Sequence, residues 1–330
     1  MIYLNEKDLK SIGIPWEETV AVIEKAVLGI DGSDYAQPIK PYLRYGDKKN
    51  RIIAMPAFVG SDINIAGIKW IASFPDNIHR GMPRAHSVTV LNEPDTGEPV
   101  CIINTALLSI IRTASVSGLV MKCFDSARRL DGFNLGIIGW GPIGRHHLKL
   151  CESLFGDRIS KVYLYDIRPV IDRDDTGFGD SGKVVVAGSW QEVYLNSDVF
   201  FTCTVSKEPY IDLPPVKGSL LMNVSLRDFK SCIFEHVRGR IIVDDWDEVC
   251  RENTDIERMH REKGLTAAGT RSIADAAVRG CIKEFREDGA VMFNPMGMAV
   301  FDVAMGAYYY RKALEKGIGT VLDEPVHARA

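Results

Sequence analysis

The sequence predicts an α/β fold, and three observations carry that prediction. First, residues 134–144, NLGIIGWGPIG, form an apolar run that ends at Gly139 and continues through Gly141 and Gly144, a G-x-G-x-x-G spacing. Second, residues 145–154 read as a helix, with Leu148, Leu150, Cys151 and Leu154 on or near one face. Third, another apolar run at 162–165 ends in Asp166, 22 residues after Gly144. Strand, glycine turn, helix and a second strand closed by an acid is the pattern of a Rossmann-type dinucleotide-binding domain. Gly139 permits the turn, Gly141 lets the backbone approach a pyrophosphate, and Gly144 lets helix and strand pack closely. Pro142 and Ile143 complete the turn, and the helix N-terminus offers free N–H groups to phosphate. A carboxylate at Asp166 accepts hydrogen bonds from ribose hydroxyls and repels a 2′-phosphate, which favours NAD over NADP. Arg168, two residues on, is the one nearby group that could receive a phosphate.

Bulk composition narrows the function classes. The chain has 330 residues, enough for two domains, with 46% hydrophobic and 25% charged residues, as in an ordinary soluble globular protein. A net charge of −4 leaves no basic footprint for nucleic acid. Without an uninterrupted apolar run of about 18 residues, no membrane span is expected. The polar start MIYLNEKDLK lacks a signal-peptide core, so a cytoplasmic location is expected. Seven cysteines without a C-x-x-C spacing read as reduced thiols, and no His/Cys/Asp cluster has metal-ligand spacing. No metal is expected.

Taken in order, residues 2–4 read as a short strand and a helix begins at Pro15-Trp16, with Val20, Ile23, Ala26, Val27 and Ile30 as its apolar stripe. Residues 37–44, QPIKPYLR, are stiffened by two prolines and carry Lys40 and Arg44. Residues 51–58 and 66–72 read as strands. Lys69 lies inside the second, and it either alternates outward to water or faces inward and needs an anion. A cation-rich loop holding His79, Arg80, Arg84 and His86 precedes a strand at 87–91. Residues 93–97 are a hairpin turn, and 100–103 the return strand. Residues 104–123 read as a long helix in which Arg112 is embedded among apolar and small residues, so that it needs either a ligand anion or a structural salt bridge.

Beyond the glycine turn, 167–183 should hold a crossover helix but is rich in glycine and aspartate, which predicts a loop or a short distorted helix. A strand is read at 184–187, a helix from 189 and a strand at 199–205. The C-terminal end of that strand, Thr202, Cys203, Thr204 and Val205, should line the cofactor crevice, because ligands sit at the carboxyl ends of parallel strands. A strand at 219–224 leads to Ser225 and to Asp228, a position suited to a catalytic acid or base. A further strand is read at 241–243. Residues 253–286 read as mostly helical with a solvated charged face. Asn294-Pro295 is a plausible start for the last helix, and the tail from Ile318 is expected to be poorly ordered.

Arg44, Lys69, the RTAS segment at 112–115, GWGPIG at 139–144, Asp228 and the closing NPMGMAVFDVA segment with Asp302 are the features by which the chain resembles the ornithine cyclodeaminase and mu-crystallin family. The resemblance runs over nearly the whole chain. It implies a discontinuous α+β substrate-binding and dimerisation domain, residues 1–115 with 300–330, around a nucleotide domain at 116–299, and a homodimer. It also implies that Arg44, Lys69 and Arg112 hold the substrate carboxylate and that Asp228 is the catalytic carboxylate. Ornithine-specific members place a glutamate near position 55 on the distal amine. Here that region reads Ile53-Ala54-Met55-Pro56, which argues against ornithine.

QPIKPYLR, RIIAMP, GIKWI, Arg84-Ala85, TCTV, IIVDDW, NPMGMA and GIGT are more similar to the branch that releases 2,3-diaminopropionate from a glutamate adduct. That branch implies an NAD-dependent oxidation of N-(1-amino-1-carboxy-2-ethyl)-glutamate. A substrate with three carboxylates needs several cations, with Arg84 and Lys40 as further candidates. The secondary amine needs a general base, for which Asp228 is the choice, and Lys69 could polarise a carboxylate or steer water. Other readings are an alanine dehydrogenase, a ketimine reductase, a cyclodeaminase, or a non-catalytic mu-crystallin-like protein that binds NAD(P)H and a small ligand.

Overall fold

The computed structural model describes residues 1–170 and 182–322. The chain divides into two compact units, residues 1–112 with 298–330, and residues 113–297. The first begins with β1 (Ile2–Asn5), α1 (Glu6–Ile12), α2 (Trp16–Asp31), β2 (Tyr35–Ala36), β3 (Tyr42–Leu43), β4 (Arg51–Val59), β5 (Ile65–Ser73), β6 (Ala85–Asn92) and β7 (Pro99–Asn104). Helix α3 (Leu107–Ala127) carries the chain across the boundary. The second unit contains β8 (Phe133–Ile138), α4 (Pro142–Phe155), β9 (Ile159–Tyr165), β10 (Val184–Val186), α5 (Trp190–Leu195), β11 (Val199–Thr202), β12 (Leu220–Met222) and α6 (Phe234–Val237). It continues with β13 (Ile241–Val243), α7 (Trp246–Val249), α8 (Asp255–Lys263), β14 (Thr270–Ser272), α9 (Ile273–Ala277) and β15 (Val291–Asn294). The chain then returns to the first unit with α10 (Ala299–Lys316) and β16 (Thr320–Val321).

In the first unit the strands form one mixed sheet in the order β16-β1-β7-β6-β5-β4-β2, with β3 also on β4. The hairpins β4–β5–β6–β7 are antiparallel, and β1 joins parallel to β7. Helix α10 lies across β4, β5 and β6 on one face and beside α2. Its small residues permit this approach: a Cβ on Gly306 would stand 3.1 Å from the Leu91 side chain. Strand alternation sends Met55, Lys69, Thr89 and Leu91 to the α10 side, all buried, and turns Pro56, Phe58, Ile68 and Trp70 to the other.

In the second unit every strand is parallel, in the order β10-β9-β8-β11-β12-β15-β13-β14. This is the α/β, Rossmann-type sheet, with the strand order reversing at β8, between β9 and β11. That reversal is where such sheets open a crevice for ligands. Phe200, Phe229 and Tyr194 pack edge to face in its core.

Several expectations are corrected. A helix precedes Pro15: α1 is fixed by a capping box in which Asn5 and Asp8 exchange side-chain and backbone bonds. Residues 253–286 are only partly helical, because β14 and short 3-10 turns interrupt them. Asn294 does not start the last helix. It ends β15, which inserts between β12 and β13, and α10 starts at Ala299 after Met298. The strand read at 199–205 stops at Thr202, and that read at 219–224 spans only Leu220–Met222. Within the tail, Thr320 and Val321 form β16, which pairs with Ile2 and Tyr3, and residues 323–330 lie outside the described residues. Most of the crossover at 167–183 also lies outside them. Helix α3 is long and apolar enough to span a bilayer by composition, but 72% of its most apolar window is buried within the protein, as befits a core helix.

Candidate active site

The first unit holds a buried ionic group. Lys69 is 2% exposed on β5, directly opposite Met55 on β4 and Thr89 on β6. It faces inward, and its anion is Asp302 in the first turn of α10: Lys69 Nζ donates to Asp302 Oδ2 at 2.7 Å and to Ser109 Oγ at 3.3 Å. Arg112 Nε donates to Asp302 Oδ1 at 2.9 Å. Asp302 therefore answers both questions posed by the sequence, and it was missed as their partner because it lies 233 residues from Lys69 in the chain. The two cations hold the Asp302 carboxyl below the usual carboxylate range against the cost of its burial. Burial, with Arg112 and Lys40 nearby, pulls Lys69 down to about 7 despite its bond to Asp302. Lys40 is itself buried. Two basic side chains thus share one carboxylate, and Met55, paired with Lys69 across the strands, adds no acid. Arg44 is exposed and stacked 5.0 Å from the Tyr42 ring, with Arg51 on the same ring at 5.7 Å. Arg84 is half-buried just before β6.

The second unit carries the glycine turn. Gly139 has φ 92°, and a Cβ there would lie 2.4 Å from the Cys203 carbonyl oxygen. A Cβ on Gly144 would lie 2.2 Å from the Gly139 carbonyl oxygen. Gly141 is the extended N-cap of α4 with nothing within 4 Å of a would-be Cβ, and Pro142 takes the first helical position. Ile143 follows it in the first turn. This leaves open backbone at a helix N-terminus, the geometry that receives a pyrophosphate. Asp166 closes the turn from β9: Oδ2 accepts from the Trp140 amide at 2.7 Å and Oδ1 from the Arg168 amide at 2.8 Å. Each oxygen keeps acceptor capacity for a hydroxyl. Arg168 Nε lies 3.7 Å from Asp166 Oδ1 while its guanidinium is exposed. These residues fit a dinucleotide.

Beyond β11 the polar groups converge on Asp228, which is fully buried. Thr204 Oγ1 donates to Asp228 Oδ1 at 2.5 Å, Ser225 Oγ donates to Oδ2, and the Tyr210 hydroxyl is a third donor. Burial pushes the Asp228 carboxyl up, and these three donors pull it part of the way back. Thr202 Oγ1 lies 2.7 Å from Ser225 Oγ and donates to Asn223 Oδ1 at 3.0 Å. Burial raises the Cys203 thiol far above its ordinary range, so it is no nucleophile. Val205 is exposed. Tyr210 and Asn223 were missed by sequence reasoning. Asn223 stands at the carboxyl end of β12, a position signal that was available, whereas Tyr210 sits in a loop with none. Among the described residues no group of His, Cys, Asp and Glu could hold a metal, and none of the seven cysteines is joined in a disulfide.

The fold and the glycine turn define a dinucleotide-binding α/β protein, and the family follows from comparison. Residues 15–317 match the model of the ornithine cyclodeaminase/mu-crystallin family, and the chain belongs to that family. It is 33% identical to N-((2S)-2-amino-2-carboxyethyl)-L-glutamate dehydrogenase of Staphylococcus aureus, over 98% of each chain. Its fold is similar to that of Thermococcus litoralis Δ1-pyrroline-2-carboxylate reductase in complex with NADH and L-proline, with TM-score 0.84, 22% identity and 98% and 100% of the chains covered. It is also similar to an archaeal alanine dehydrogenase dimer with bound NAD, with TM-score 0.82, 22% identity and 98% and 99% covered.

Proposed function

We propose that the protein is an NAD-dependent dehydrogenase that oxidatively cleaves N-(1-amino-1-carboxy-2-ethyl)-glutamate to L-2,3-diaminopropionate and 2-oxoglutarate. The observation that carries this reading is the buried pair Lys69 and Arg112 on the one carboxylate they share, Asp302. Two buried cations on one carboxylate leave a net positive charge, which suits an anionic ligand. An acid in place of Met55, opposite Lys69, would instead suit a distal ammonium.

When bound, NAD supplies the hydride acceptor for the glutamate α-carbon. Lys69 and Arg112 hold a substrate carboxylate, with Arg44, Arg84 and Lys40 for the others. Asp228 takes the proton of the secondary amine as the C–N bond becomes an imine. The proton affinity of its carboxyl, raised by burial, suits a general base. Returning that proton to the imine nitrogen restores the carboxylate, which then takes a proton from the water that adds to the imine carbon and passes it to the amine nitrogen as the adduct collapses and releases the diamine. Gly139, Gly141, Pro142, Ile143 and Gly144 hold the pyrophosphate. Asp166 holds the ribose hydroxyls, and its charge, with Arg168 drawn toward it, favours NAD over NADP. Thr202, Cys203, Thr204, Val205 and Ser225 border the nicotinamide.

The first unit is the substrate-binding and dimerisation domain. Its sheet leaves Pro56, Phe58, Ile68 and Trp70 on the face away from α10, with Trp70 45% exposed. That apolar face fits a second copy of the chain. A cytoplasmic location accords with cysteines not joined in disulfides.

The deciding experiment follows NADH formation from the adduct, with ornithine and alanine alongside. NADH together with 2-oxoglutarate is the expected result, and Asp228→Asn should lower kcat by about 10²–10⁴-fold while NADH still binds. Turnover of alanine or ornithine but not of the adduct would overturn the substrate assignment.

A further inference from the structure

The turn that carries Asp228 is held from beneath by a second buried acid. Asp255 opens α8 behind the N-cap Thr254 and is fully buried, although the sequence placed it in a solvated stretch. Its Oδ2 accepts from the Asn223 side-chain amide at 3.0 Å and from the backbone amides of Asp228 at 3.2 Å and Phe229 at 3.1 Å. Its own amide donates to the Leu226 carbonyl at 2.8 Å. Leu226 has φ 63°, a left-handed conformation that a leucine holds only under outside constraint. Asn223 ties the same turn from the other side, accepting from the Leu226 amide at 3.2 Å. Asp255 therefore grips both ends of the turn that aims Asp228.

All three donors reach one oxygen, so an asparagine carbonyl in its place would serve them. The other oxygen, Oδ1, is buried with no hydrogen-bond partner. Around Asp228 the groups that ionise are Tyr210, Arg227, the Cys203 thiol and Asp255. Of the acids among them, Asp255 alone titrates near neutrality, raised to about 7 by burial and by Asp228.

We propose that Asp255 is a positioning residue for Asp228, fixing the backbone of the turn that aims its carboxylate. The inference rests on the reading of Asp228 as the general base. The two carboxyls then titrate as a coupled pair.

Asp255→Asn keeps the carbonyl oxygen and removes the charge. Its kcat should stay near that of the wild type, because the three donors keep an acceptor. Asp255→Ala releases two backbone amides and should lower kcat at least tenfold while the Kd for NADH stays the same. An unchanged kcat in Asp255→Ala would overturn the proposal, as would a loss in Asp255→Asn as large as that in Asp255→Ala. A substrate-free arm separates this from the functional reading. The protonated-carboxyl infrared band that disappears in Asp228→Asn reports the Asp228 proton directly. Its midpoint should rise in Asp255→Ala, as the turn relaxes and Asp228 loses the Ser225 and Thr204 donors, and stay in place in Asp255→Asn, even if the adduct is not a substrate. An unmoved midpoint in Asp255→Ala would reject the role of Asp255.

Discussion

At the scale of single residues, Asp302 decides the behaviour of the cation group. It is buried and answers Lys69 and Arg112 at once. Removing its charge would leave two buried cations without a carboxylate, a change that typically costs about 3–5 kcal/mol. Asp302→Asn is expected to lower the denaturation midpoint accordingly, and a chemical melt within about 1 kcal/mol of wild type would contradict the geometry. Lys69 supplies a pH signature. Because burial holds it near 7, its charged form is lost as pH rises through that value in the free enzyme. A bound carboxylate favours the charged form, so the complex retains the proton to higher pH than the free enzyme does. Substrate affinity should therefore be full below about 7 and fall above it, by up to tenfold per pH unit. Lys69→Arg, always charged, should flatten that dependence of KM. None of this pairing was legible in the sequence. The pattern showed that Lys69 and Arg112 sat among apolar neighbours, but period-two alternation cannot name a partner in a helix at the far end of the chain.

Among elements, the joint between α3 and α4 sets the glycine turn in place. His147 is fully buried three residues after Gly144. Its Nδ1 donates to the Ile143 carbonyl at 2.8 Å, so its Nε2 accepts from Ser117 Oγ on α3 at 2.9 Å. Burial lowers His147 to about 4, so the ring stays neutral. Between about 4 and 6.5 the unfolded chain binds a proton that the folded chain does not. Stability contributed by this site is thus present above about 6.5 and lost as pH falls toward 4, on the order of 3 kcal/mol in all. Urea melts at pH 7 and 4.5 should show a larger acid loss for wild type than for His147→Gln, whose amide does not titrate. The glycine turn itself was readable because a strand, three glycines and a helix lie within one short stretch. Strands β14 and β15 were not. They have three and four residues, too few for a period to emerge, and Asn294-Pro295 resembles a helix start although β15 is a central strand.

For the whole molecule, the same contrast separates what is local from what is assembled. The parallel sheet could be anticipated from successive apolar runs, yet the insertion of β15 between β12 and β13 is a property of the folded topology. The mixed sheet of the first unit was read as separate strands with one hairpin turn at 93–97, and its two faces become distinct only once α10 is laid across one of them. The opposite face carries Pro56, Phe58 and Ile68, partly buried, and Trp70, exposed, apolar side chains on neighbouring strands. Each alternates outward because Lys69 and Met55 alternate inward, so the register that buries the cation group also fixes this face. If a second copy covers it, a charge placed at its centre must be desolvated in the dimer and is free in water in the monomer. Trp70→Asp is therefore expected to shift the protein from dimer to monomer in multi-angle light scattering, with an unchanged circular dichroism spectrum because the α10 face is untouched. A dimer that survives Trp70→Asp at micromolar concentration would place the subunit contact elsewhere and leave this face without its proposed occupant.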